Sequence, residues 1–327
     1  GIGVTVFSFG EVRSLPKIIR HFVYFLKLLK RARGANVIFA QDTVSVGFPA
    51  LCASVVLRKR FFARVPGDYA WEQATQRFRI TDSIDEFQNK KYGWRVELLR
   101  KIQKMTVNGA EIVITPSIYF RQLVSRWVKN PKKVFCVYNG IDLTVIPKSD
   151  GTYEPKTIIS AGRLVPWKGF VTLIKMLKFF PEWKLSIAGT GPMEEELKNV
   201  AVQSGINDRV FFLGQISRGE LIQKIQNSEV FVLNTSFESF SFQIVEAMAA
   251  GTPVVTTNIG NLSEIIDNDK SGILVAPDDE KGIISSTIRL SLDKNFRNKI
   301  VVEAKKKSQQ FSIENTLNSL LAHLKKL

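Results

Sequence analysis

Two carboxylates eight residues apart, Glu238 and Glu246, lie in the stretch 229–257, EVFVLNTSFESFSFQIVEAMAAGTPVVTT. The apolar run 230–233 predicts a strand, and the polar segment after it a turn carrying Glu238. A short helix is predicted from about Ser241 to Ala250, stopped by Gly251, with a second strand at 253–257. Glu246 then falls about one helical turn inside. The free N–H groups of Ser241, Phe242 and Gln243 at the start of this helix form an end suited to an anion. Carboxylates and an anion site oppose each other if both serve phosphate. The acids therefore suit hydroxyls and the amides suit phosphate, and a sugar nucleotide carries both.

The elements that must position these groups are legible as alternating strands and helices. In the second half TIISAG, KLSIAG, RVFFLG, VFVLN, PVVTT and GILVAP read as six short strands separated by helices, and helices from about 280 to 327 close the chain. Such alternation predicts a doubly wound parallel sheet with its ligand beyond the carboxyl ends of the strands. In the first half strands are predicted at 4–9, 37–41, RFFARV, 112–116 and VFCVYN, with helices at 15–33, 49–60, over most of 75–110, and at 118–128. Residues 143–155, with two prolines and a Ser-Asp-Gly turn, form the predicted linker. The fold class is thus α/β, with Rossmann-like doubly wound domains at 1–145 and 146–327 and a last helix able to cross back to the first domain.

Strand ends in the second half hold further chemistry. Arg163 and Lys168, in AGRLVPWKG, offer a planar fork of donors and a point charge suited to a diphosphate. Gly189 and Gly191, in GTGP, let backbone approach a ligand closely. The third strand ends before Gln215 and Ile216, and the fifth leads to 258–261. In the first half Asp68 sits in the polar and aromatic loop PGDYAWE, to receive a proton, hold a hydroxyl or simply form a turn.

Composition limits the classes of partner. The chain of 327 residues has a formal charge of +16. Residues 1–145 hold 24 Lys and Arg against 10 Asp and Glu, while the rest is close to neutral. A basic half suggests an acidic glycan, a lipid-linked phosphate or a membrane surface as its partner. The helix at 15–33 has apolar residues at Ile18, Ile19, Phe22, Phe25, Leu26 and Leu29, and a basic edge. It suits peripheral contact with an anionic membrane or, the favoured reading, packing on the sheet with its charges in water. No basic–aromatic nucleic-acid motif appears. Two cysteines, Cys52 and Cys136, and two histidines, His21 and His323, argue against a disulfide framework or a histidine-rich metal site. Without a run long enough to cross a bilayer, a cytoplasmic protein, membrane-associated at most on the cytoplasmic face, is expected.

The motifs AGRLVPWKG, IAGTGP, FESFSFQIVEAMAAGTPVV and NGID together resemble the retaining GT-B glycosyltransferases of family 4, the glycosyl transferases group 1, over residues 35–325. The resemblance implies two domains facing each other across a cleft, the first for the acceptor and the second for a nucleotide sugar. It implies Arg163 and Lys168 on the donor diphosphate, Glu238 on the sugar hydroxyls and Glu246 on the ribose. Backbone amides of Phe240, Ser241, Phe242 and Gln243 would meet phosphate or sugar, and Gln215 and Ile216 the base. Front-face attack is implied, with the leaving diphosphate helping to deprotonate the acceptor and with no metal or other cofactor. The product would be a cell-surface glycan or glycolipid, made by a hexosyl- or glycosyltransferase of class EC 2.4.

Departures from the family pattern are visible. A histidine frequent in the first-domain loop is missing, with Pro66-Gly67-Asp68 in its place. Ser239, Ser241 and Asn261 stand where glycine is common. The first strand and glycine-rich loop of a complete N-terminal domain are expected upstream of Gly1. A non-catalytic or truncated sugar-nucleotide-binding relative is therefore the alternative, with a GT-B sugar-nucleotide epimerase, disfavoured by the shortage of histidines, behind it.

Overall fold

The structure, a computed structural model, describes residues 3–147, 151–277 and 279–324. The chain forms two compact units, 1–137 and 138–327. The first unit holds four parallel strands, β1 (Val37–Ala40), β2 (Arg60–Arg64), β3 (Ile112–Thr115) and β4 (Val134–Cys136), in spatial order β1-β2-β3-β4. All four residues of β3 are buried, as a strand covered by helices on both faces must be.

The second unit holds β5 (Glu154–Ala161), β6 (Lys184–Ala188), β7 (Val210–Gly214), β8 (Ser228–Leu233), β9 (Val254–Thr257) and β10 (Ile273–Val275). Their order is β10-β9-β8-β5-β6-β7, all parallel. The chain winds outward from β5 to β7, then returns to the other side of β5 with β8. The direction of winding reverses between β5 and β8, so the loops after these two strands diverge and leave a crevice. Each strand serves both faces of the sheet. Ile158, Val230 and Val232 enter one core with Leu173, Ile187 and Ile283, while Ile159, Phe231 and Leu233 enter the other with Ile244, Val245 and Leu262. Alternation of side chains along a strand produces this division.

The predicted strand at 4–9 does not form. Residues 3–8 pair with no strand, Val4 and Val6 are exposed, and Phe9–Val12 is a short 3-10 turn capped by Ser8. Phe7 instead stacks on Tyr24, ring centroids 4.6 Å apart. An apolar run becomes a strand only beside a neighbour that takes up its backbone groups, and among the described residues β1 pairs with β2 alone. The helix Lys17–Arg31 also differs from its predicted face: it buries Tyr24 and Leu28 and exposes Ile19, Phe22 and Leu26.

The linker predicted at 143–155 includes residues 148–150, which lie outside the described residues. Residues 138–142 belong to the second unit, ahead of the boundary expected at 145/146. Ile141 N–H donates to Phe311 O, Ile313 N–H donates to Ile141 O (both 2.9 Å), and Thr316 Oγ1 donates to Tyr138 O at 3.0 Å. The last helix, Ile313–Leu324, is likewise counted with the second unit.

Gly140 lies in this contact, where an added Cβ would sit 2.5 Å from Thr316 Oγ1 and 2.6 Å from Ile313 Cα. Gly140→Ala is expected to destabilise the protein by about 1–3 kcal/mol through overpacking, measured by urea denaturation. An unchanged midpoint would mean that this segment does not pack as described.

Candidate functional site

The carboxyl ends of the second sheet are joined to one another by backbone. Gly162 N–H donates to Ala188 O (2.9 Å), Leu164 N–H to Thr190 O (3.0 Å) and Gly189 N–H to Gly214 O (2.8 Å), so the tips of β5, β6 and β7 continue their ladder. Gly189 has φ +135°, and a Cβ there would lie 1.9 Å from Gly162 O. Only glycine lets these two tips meet. On the other side of β5, Trp167 O accepts from Ser236 N–H at 2.8 Å and from Thr235 Oγ1 at 3.0 Å. Loop 162–169 and loop 234–241 are thereby held together across the point where the winding reverses.

Lys168 and Glu238 meet there. Lys168 Nζ donates to Glu238 Oε1, and both side chains are about nine-tenths buried. Burial pushes the Glu238 carboxyl above its ordinary range, and the Lys168 ammonium pulls it back. The Lys168 stem runs along Gly162, where a Cβ would come within 3.5 Å of Cε and Nζ. Arg163 is exposed on the same loop. Gly191 abuts the backbone of Leu164.

Three residues after Glu238, Ser241 caps the helix Phe242–Ala250, its side chain accepting from Ile244 N–H at 3.5 Å. The first-turn N–H groups of Phe242 and Gln243 have no intrahelical acceptor. Phe240 is buried in an aromatic cluster with Phe242, Phe311 and Tyr138, which fixes the entry of the chain into the helix. Gly251, at φ +87°, ends the helix in the left-handed conformation that glycine favours.

Glu246 lies inside this helix, its side chain only 6% exposed. Arg218 Nε donates to Glu246 Oε1 at 2.8 Å. Burial pushes the Glu246 carboxyl up, and Arg218 opposes the shift. Nothing in the sequence marked Arg218, which lies 28 residues from its partner. Gln215 is exposed and Ile216 half-buried on the turn after β7.

Asp68 belongs to the first unit. The loop 66–72 is in part helix: Asp68 is the N-cap of Tyr69–Phe78. Its buried carboxylate accepts from Trp71 N–H (3.1 Å), Gln103 Nε2 (3.1 Å) and Gln88 Nε2 (2.9 Å). Burial pushes its carboxyl up against these donors. Both oxygens accept, and the donors come from three helices. Among the described residues no three His, Cys, Asp or Glu side chains come together as a metal site.

These two parallel-sheet units define a GT-B architecture. Sucrose-phosphate synthase from Thermosynechococcus elongatus superposes with a TM-score of 0.77 at 18% identity, over 95% of this chain and 80% of that one. Anabaena HepE in complex with UDP and glucose superposes with a TM-score of 0.78 at 20% identity, over 93% and 81%. The Glycosyl transferases group 1 profile matches residues 144–307, half of the chain, and the protein belongs to that family. An uncharacterized glycosyltransferase of Methanocaldococcus jannaschii is 35% identical over 59% of this chain and 54% of its own. D-inositol 3-phosphate glycosyltransferase of Mycolicibacterium vanbaalenii is 28% identical over 67% and 54%. The chain thus spans about half the length of these curated relatives.

Removing one partner of the buried pair should be costly. Lys168→Met leaves Glu238 buried without its counter-charge and is expected to destabilise the protein by about 3–5 kcal/mol at neutral pH. An acid whose folded-state pKa is raised above the unfolded value loses stability as pH rises through that interval. The variant should therefore approach the wild type below about pH 4 and fall further behind it as pH rises, measured as urea midpoints across pH. A deficit independent of pH would overturn the pairing.

Proposed function

We propose that this protein is a retaining glycosyltransferase of family 4, moving a sugar from a nucleoside diphosphate to an acceptor hydroxyl in cell-surface glycan or glycolipid synthesis. The observation that carries the reading is the buried Lys168–Glu238 pair, three residues ahead of the capped helix that holds Glu246, at the switch point of a doubly wound sheet. Such an edge offers acceptors for hydroxyls beside donors for phosphate. Membership of the family supports the same chemistry, and HepE has been solved with UDP-glucose.

In this reading Arg163, Lys168 and the first-turn amides take the charge of the diphosphate. Glu238 accepts from a sugar hydroxyl and Glu246 from the ribose, with Gln215 and Ile216 beside the base. An ammonium has three donors, so Lys168 can keep Glu238 ionised and still reach phosphate. The bond from the anomeric carbon to the diphosphate oxygen breaks, and the acceptor oxygen bonds to that carbon on the same face. The acceptor proton passes to the departing diphosphate. The chemistry requires no metal or redox cofactor. The acceptor is assigned to the basic first unit. In the first unit Asp68 is the candidate to hold a hydroxyl of the sugar or acceptor.

The exposed stripe Ile19, Phe22 and Leu26, on a helix carrying Arg20, Lys27, Lys30 and Arg31, favours peripheral contact with an anionic membrane at the cytoplasmic face. Co-sedimentation with phosphatidylglycerol vesicles, but not with phosphatidylcholine vesicles, should be lost in Phe22→Ser. Equal sedimentation with both would remove this part of the reading.

Calorimetry and hydrolysis assays with UDP-, GDP- and ADP-sugars test the donor site. One base class is expected to bind, with affinity falling by about tenfold or more in Glu238→Ala and in Arg163→Ala as charge-assisted hydrogen bonds are lost. Failure of all three to bind, or unchanged binding when Glu238→Ala and Arg163→Ala are combined, would overturn the assignment.

A further inference from the structure

A carboxylate that accepts hydroxyls must be both ionised and aimed, and burial opposes the first. Arg218 addresses both needs for Glu246. Its Nε holds Oε1 at 2.8 Å, while Oε2 accepts no hydrogen bond among the described residues and is not sealed from solvent. Arg218 is the first residue of the helix Arg218–Gln226, whose Ser217–Glu220 capping box already satisfies the helix start. A cation there faces the positive end of the helix dipole. Local structure therefore gives no reason for an arginine, and the partner on another helix does. Its Nη2 lies 3.5 Å from Asp142 O, a second hold on the guanidinium. Of the charged groups on elements packed against the Glu246 helix, Arg218 acts on the carboxylate, whereas Lys305 of the helix Lys294–Ser308 lies at Gly251, at the far end.

We infer that Arg218 is a positioning residue for Glu246, fixing Oε1 and leaving Oε2 to accept from the vicinal diol of a nucleotide ribose. The inference deepens the donor-site reading above and rests on it. Arg218 itself touches no reacting atom: it sets the charge and the direction of the group that does. A lysine, with one compact ammonium in place of a fork, would supply the charge but not the same aim.

Calorimetric titrations with UDP, GDP and ADP from pH 5 to 8 test this in the wild type, Arg218→Met, Arg218→Lys and Glu246→Gln. For the nucleotide that binds, Arg218→Met is expected to lose affinity by on the order of tenfold near neutrality. The loss should widen as pH falls, because a carboxylate without its counter-charge is protonated at higher pH. Arg218→Lys should recover part of it. The corresponding 2′,3′-dideoxynucleoside diphosphate should bind wild type and Arg218→Met equally, and Arg218→Met should add nothing in a Glu246→Gln background. Identical pH profiles for wild type and Arg218→Met, or an equal loss with the dideoxy analogue, would overturn the inference. If the wild type binds none of the three, the donor-site reading fails instead. The carboxyl titration of Glu246 in ligand-free protein, followed by ¹³C NMR and identified by its loss in Glu246→Gln, then decides the role of Arg218: a midpoint unmoved by Arg218→Met overturns it.

Discussion

A carboxylate taken out of water needs a counter-charge or a set of donors, and the second unit is built around one such requirement. Glu238 sits on the loop after β8 and Lys168 on the loop after β5, 70 residues away in sequence. They meet because β8 returns beside β5, where the winding of the sheet reverses. Other features of this edge make that meeting possible. Gly169, at φ +62°, lies against Asn234, and Trp167 O takes three donors from the neighbouring loop. These contacts fix backbone before any side chain is placed.

Three of the buried acids, Asp68, Glu238 and Glu246, show three solutions to the same problem. Asp68 is satisfied by neutral donors, two glutamine side chains and a backbone N–H, and serves to join helices. Glu246 shares an exposed arginine and keeps one oxygen open. Glu238 shares a buried lysine. In each, burial raises the carboxyl and the partners lower it. What differs is the partner: neutral donors for Asp68, an exposed guanidinium for Glu246 and a buried ammonium for Glu238.

Legibility was high where a local pattern is enough. The six strands of the second unit, the helix stop at Gly251 and the glycines behind the strand tips follow from apolar runs and from backbone that only glycine adopts. It was lower where a neighbour decides. Residues 4–9 have the composition of a strand, yet among the described residues no strand accepts their backbone groups. The helix Lys17–Arg31 has two apolar stripes, and packing against the helix Gly47–Leu57 selects the one with Tyr24 and Leu28. Asp68 reads as a loop acid until Gln88 and Gln103, far along the chain, arrive at its oxygens.

The sequence by itself determined the α/β alternation, the glutamates at 238 and 246, the lysine and arginine after the first strand of the second half, and the basic character of residues 1–145. Each depends on residue type and on spacing within a few turns of chain. Only the tertiary structure decided which groups meet: Lys168 with Glu238, Arg218 with Glu246, and residues 138–142 with the second unit. Strand order brings Lys168 to Glu238, and packing of helices and the C-terminal segment brings the others together, which no local pattern records.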